Sequence, residues 1–203
     1  MSKNNKEKDI TKKSVKLDTF NEFVSEFRKE SDRAAVILGA AKLDLLLYQI
    51  LIKFLFSNAS SRDDLFNGDG PLSTFSAKIH LCYRLRLIDS DLSRSLHLIR
   101  KIRNSFAHEV TGCSLDSGSH RDRVKELMAP FEIYNNFEKY KDNAFGSQSS
   151  YSFYFRTALA IIVLRLEGVL GKVKPIYEEP YTLIPPFWLE AKSSESSKKD
   201  GKS

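Results

Sequence analysis

The stretch "AAVILGAAKLDLLLYQILIKFLF", Ala34 to Phe56, is the longest apolar run in the chain. A bilayer span needs about 20 consecutive apolar residues, and this run has that length. Lys42 and Asp44 stand at its centre, where a charge in hydrocarbon costs about 2.5–3.5 kcal/mol. The run is therefore expected to be a buried core helix and not a membrane segment. Ser31 or Asp32 can cap its start. Ala34, Leu38, Leu45, Tyr48 and Ile52 place apolar groups on most sides, which predicts a central position in a bundle.

Helical spacing continues on both sides of it. Phe20, Phe23, Val24 and Phe27 form a stripe after a capping Asp18 or Thr19. "NASSRDDLFNGDGPL" predicts a loop, broken by Gly68, Gly70 and Pro71. Gly70 is expected to need a positive φ, with Ser73 near the cap of a helix over 73–87. A further helix follows a cap at Asp89 or Ser90, then a short one over 121–128 that stops at Pro130. "YNNFEKYKDNAFGSQSS" predicts a loop, and a long helix spans 151–173. Pro175, Pro180, Pro185 and Pro186 then predict an extended segment. Period-2 alternation is nearly absent. The expectation is one all-α bundle of about five or six helices over residues 17–190, with disordered tails at 1–16 and 191–203.

The net charge is +6. Residues 1–16 carry +4 and residues 191–203 carry +2, so residues 17–190 are formally neutral. The predicted domain lacks the basic excess common in DNA readers. Cys82 and Cys113 have no ligand spacing and suggest free thiols in a reducing compartment. The polar N-terminal segment lacks the pattern of a signal peptide. A cytoplasmic location is expected, with no membrane association, metal or cofactor.

Phosphate-loop, metal-site, nucleophile-elbow and helix-turn-helix patterns do not occur. The chemistry concentrates in "LHLIRKIRNSFAHEV", Leu96 to Val110. Leu92, Leu96, Ile99, Arg103 and Phe106 recur as one stripe, so Arg103 takes an apolar slot. Ser93, His97, Arg100, Asn104 and His108 line the neighbouring face. Asn104 and His108 are one turn apart and can touch. Arg103 and His108 are about 140° apart on an ideal helix. They converge only if the helix loosens near Ala107 or if two copies meet.

Two readings of the trio stand open. In one, His108 moves the proton of a ribose 2′-OH, Arg103 holds the phosphate oxygens and Asn104 orients either, with Asp44 in support. In the other, Arg103 pairs with a buried carboxylate, for which Asp44 is the first candidate unless it is a solvent-facing charge, while Asn104 and His108 finish the helix. His97 and His120 are expected at the surface, and His80 on the rim of its helix.

"RAAVILGAAKLDLLLYQIL", "LFNGDGPLSTFSAKIHLCYRLRLID" and "LHLIRKIRNSFAHE" resemble, in that order, the mannitol operon repressor family. The most specific part is Gly68-Asp69-Gly70-Pro71-Leu72 with Ser76, Lys78-Ile79 and Tyr83. The resemblance covers roughly residues 30–170. It implies a self-associating helical domain that regulates transcription without an evident DNA-binding motif. The last segment also resembles the HEPN superfamily motif, an Arg and a polar residue followed by a His. There the resemblance implies that Arg103, Asn104 and His108 are ribonuclease residues in a site shared across a homodimer. The expected function is thus a regulator acting through protein partners, or a metal-independent endoribonuclease acting on RNA as a toxin or defence effector.

Overall fold

In the computed structural model, the residues described are 25, 27–56, 63–109, 112–131, 139, 142 and 150–176. The expected tails, the stripe at Phe20, Phe23 and Val24, and the prolines beyond Pro175 lie outside them. Five helices have defined bounds: α1 (Asp32–Phe54), α2 (Phe75–Arg84), α3 (Ser90–His108), α4 (Gly118–Met128) and α5 (Tyr151–Lys172). The fold is an all-α helical bundle, with no strand among the described residues.

Local chemistry sets most helix starts. Ser31, Thr74, Asp89 and Ser150 each accept a backbone N–H of the first turn. The cap of α2 is Thr74, one residue beyond the expected Ser73, and the helix ends at Arg84, short of Leu87. Of the described residues in the loop expected over 134–150, Lys139 and Asp142 are helical, and Ser150 is the non-helical cap of α5.

The loop before α2 needs its glycines for two different reasons. Gly68 has φ 58, the left-handed conformation that glycine adopts at little cost. Gly70 has no positive φ, contrary to expectation. A Cβ there would collide with the carbonyl oxygen of Asp64 and lie 2.7 Å from that of Leu65. Close backbone approach is what excludes a side chain at this position.

α1 packs against α2, α3 and α5, and α4 bridges α3 and α5. Among the described helices, α1 alone is long and apolar enough to cross a membrane. It sits as a bundle helix. Val36, Leu43, Leu47, Ile50 and Leu51 are buried, and its two central charges have partners. Lys42 Nζ lies 3.6 Å from Glu167 Oε1, and Lys78 Nζ lies 2.9 Å from Asp44 Oδ1. At Gly39 the close crossing with α5 leaves no room for a Cβ, which would run into Leu159 Cδ2. The face of α1 named from sequence as part of the core is the outer one: Leu38, Leu45, Tyr48 and Ile52 are exposed.

The N-terminal end of α1 is locked by a buried ionic joint. Arg156, 5 % exposed on α5, reaches Asp32 Oδ1 at 3.1 Å. It also donates to the carbonyls of Phe27 at 3.1 Å and Glu30 at 2.8 Å. The other carboxylate oxygen of Asp32 accepts the Leu115 N–H at 2.9 Å. Every charge and lone pair used here is matched, as burial of an ion pair requires.

Candidate functional site

The core edge of α3 runs through Leu96, Ile99, Ile102 and Phe106, all fully buried. Ile102, not Arg103, occupies the apolar slot. Arg103 lies one residue further round, about 100° away, and is exposed. The sequence expectation of a buried Arg103 is thus corrected. Its Nη1 donates to Asn104 Oδ1 at 3.1 Å. Asn104 is half-buried, and its carbonyl turns to Arg103 instead of His108.

Asp44 is not the partner of Arg103. Lys78, 5 % exposed on α2, takes that role and also donates to the Ser73 carbonyl at 3.3 Å. The contact between Lys78 and Asp44 Oδ1 is short, yet its angles do not make it a directed hydrogen bond. Asp44 Oδ1 is thus buried and ion-paired to Lys78 without a directed hydrogen bond among the described residues.

Arg103, Asn104 and Asp44 nevertheless line one cleft of about 450 Å³ between α1, α3 and the start of α2. Arg100 lines it too. Its Nε is buried without a hydrogen-bond partner among the described residues. The opposite wall is the capped N-terminus of α2, with Thr74 and Ser76. The first N–H groups of a helix and its dipole favour an anion. Two guanidiniums facing such an end make a cleft suited to phosphate, and Asp44 is partly neutralised by Lys78.

His108 is the last residue of α3 and is exposed. It makes no hydrogen bond or ion pair among the described residues. It is not among the residues lining the cleft. The helix does not loosen at Ala107: Glu109 N–H still bonds the Ser105 carbonyl at 3.0 Å. Arg103 and His108 of one chain therefore point to different sides of α3.

The end of α3 is held from outside by a residue that sequence reading passed over. Arg33, in the first turn of α1, donates to the Phe106 carbonyl at 2.6 Å and to that of Glu109. A cation on the last carbonyls of a helix satisfies orphan acceptors and complements the dipole. No periodicity points to it, because its partners are backbone atoms 73 and 76 residues away. Arg100 was legible as part of the polar face of α3, and Lys78 only as part of the family resemblance.

The other histidines divide. His120, expected at the surface, is 6 % exposed. Its ring packs on Phe106 with centroids 4.6 Å apart, and Nε2 lies 3.4 Å from Glu109 Oε1. Packing of α4 on Phe106 at the end of α3 encloses it, which a local sequence window does not reveal. His97 is half-buried against exposed His80, with ring centroids at 4.6 Å. Burial, then the charges of His80, Arg100 and Lys101, push the His97 pKa down. The Cys82 thiol is buried and pushed up to about 12 by that burial, so it is a packing residue and not a nucleophile. Among the described residues, no group of three His, Cys, Asp or Glu side chains is placed to hold a metal.

Comparison with models of protein families, with curated proteins and with solved structures gives no match to this chain.

Proposed function

We propose that this chain is a metal-independent endoribonuclease of the HEPN type, its site completed when two copies bring α3 ends together. The observation that carries the reading is the exposure of Arg103 and His108. Neither is buried, and neither has a carboxylate partner among the described residues. The structural alternative needs Arg103 to pair with a buried carboxylate, and its first candidate, Asp44, is taken by Lys78.

The chemistry follows from the residue types. An RNA phosphate seats between Arg100, Arg103 and the N-terminus of α2. His108 of the second copy removes the 2′-OH proton, and the 2′-oxygen attacks phosphorus. The P–O5′ bond breaks, and the 5′-oxygen takes its proton from a solvent water or back from the protonated His108. Arg103 stabilises the negative charge that develops on the non-bridging oxygens. The products carry a 2′,3′-cyclic phosphate and a 5′-OH. Asn104 holds the Arg103 guanidinium in register. The cytoplasm, where free thiols persist, is the compartment this reading assumes.

A second reading has its own observation. Leu38, Leu45, Tyr48 and Ile52 form an exposed apolar stripe along α1. Such a stripe suits a protein contact, as a mannitol-operon-repressor-like regulator acting through protein partners needs.

The test is cleavage of a single-stranded RNA by purified protein in EDTA, with product ends identified and the mass measured across a concentration series. Cyclic-phosphate ends from wild type and none from His108→Ala support the enzyme. Blank assays with wild type, or a monomer at every concentration, leave the regulator.

A further inference from the structure

A second cleft, of about 620 Å³, lies at the other end of α2. Its rim carries Arg84 and Arg86 from the end of α2 and Arg165 from α5. All three are exposed, and none has an ion pair or side-chain hydrogen bond among the described residues. The one acid on the rim, Asp89, is engaged as the cap of α3, accepting the Leu92 N–H at 2.9 Å. The floor is apolar, from Leu87, Leu92 and Val169, and exposed Tyr83 stands at one wall.

Arg86 is held there by an unusual backbone. Leu87 N–H bonds the Cys82 carbonyl at 2.9 Å, and Arg86 N–H bonds that of Tyr83 at 3.0 Å. This pair of bonds is the Schellman ending of a helix, whose left-handed position glycine normally fills. Here it is Arg86, with φ 57, the only positive φ at a non-glycine among the described residues. A long cationic side chain is carried where glycine would relieve the conformation. An observed backbone outlier of this kind points towards function at that residue.

Three guanidiniums without partners among the described residues offer more N–H donors than one phosphate uses, which favours a di- or triphosphate over a single phosphate. An aromatic wall over an apolar floor receives a flat, hydrophobic group, and arginine beside it adds to stacking. The volume falls within the range of small-molecule sites, about 300–1,000 Å³. We infer that this cleft binds a nucleoside polyphosphate, with phosphates on Arg84, Arg86 and Arg165 and the base against Tyr83. The inference stands apart from the ribonuclease reading, since it uses none of Arg100, Arg103, Asn104 or His108.

Calorimetric titration of the full chain with ATP, inorganic pyrophosphate and adenosine tests it, alongside thermal melting. ATP is expected to bind, pyrophosphate at least tenfold more weakly, and adenosine not measurably. Arg86→Gly should weaken ATP at least tenfold while the melting temperature holds or rises, because glycine fits the left-handed position. Arg165→Ala should weaken ATP similarly without altering the melt. Tyr83→Leu should weaken ATP and leave pyrophosphate unchanged. No binding of ATP at millimolar concentration overturns the inference. So do Arg86→Gly and Arg165→Ala proteins that bind ATP like wild type. Pyrophosphate binding as tightly as ATP overturns the assignment to a nucleotide.

Discussion

Arg156 and Arg103 show how differently one side chain can be used in a single bundle. Arg156 is buried, and its guanidinium is spent on the Asp32 carboxylate and the carbonyls of Phe27 and Glu30. Arg103 is exposed and, among the described residues, donates one bond, to its neighbour Asn104. An arginine that holds a fold is recognised by acceptors that engage all three of its nitrogens, as those of Arg156 are engaged. An arginine beside a cleft, with most of its donors unused, is available to a ligand. The same contrast separates Arg33, whose bonds tie α1 to the last turn of α3, from Arg100, whose Nε lacks a partner among the described residues.

The sharpest break of this comparison is Arg156→Ala. It leaves Asp32 charged and enclosed, and is expected to destabilise the fold by about 3–5 kcal/mol. Urea unfolding checks it, and a loss below 1 kcal/mol would remove the contrast with Arg103. Arg103→Ala and His108→Ala should do the reverse. Each is expected to keep unfolding free energy within about 0.5 kcal/mol of wild type. Each should also lower RNA cleavage about a hundredfold or more. If Arg103→Ala instead unfolds the protein, Arg103 belongs with Arg156.

Arg33→Ala lies between the two. It removes bonds from a charged donor to two carbonyls, each worth about 1.5–3 kcal/mol at most, less for the more exposed one. Fraying of the last turn of α3 should show as faster amide exchange around residues 105–109, with cleavage reduced though Arg33 touches no substrate. Unchanged exchange there would make Arg33 incidental. Gly39→Ala tests the crossing of α1 and α5 that supports both regions. Overpacking against Leu159 should cost about 1–3 kcal/mol.

The smallest effect concerns pH. The folded-state pKa of His97 is lowered, by burial first and by His80, Arg100 and Lys101 after it. Above the ordinary value of 6.5, His97 is neutral in both states and the stability is fully present. As pH falls below 6.5 the unfolded chain takes up the proton first, so stability declines towards the lowered folded pKa. Because His97 is only half-buried, the slope should be shallow, and His97→Gln should flatten it. A melting temperature that rises as pH drops from 7 to 5, and does so only when His97 is present, would reverse the sign.

The sequence by itself determined the helical class, since periods of three and four run through every long apolar segment and period two does not. It narrowed two starts to Ser31 or Asp32 and to Asp89 or Ser90, because caps are local chemistry read within one turn. It brought Arg103, Asn104, Arg100 and His108 to notice as polar residues on an otherwise apolar helix. It did not determine which edge of α3 faces the core. Ile102 and Arg103 are adjacent and both fit a four-three spacing, so only packing against α1 and α4 selected Ile102. Tertiary structure alone chose Lys78 as the partner of Asp44 and buried His120 beneath Phe106. It turned Leu38 and Leu45 outward from a helix whose apolar residues cover nearly its whole circumference. It also joined Arg33 and Arg156 to carbonyls far along the chain. A carbonyl belongs to every residue alike, so nothing in the order of side chains marks which one a distant arginine will meet.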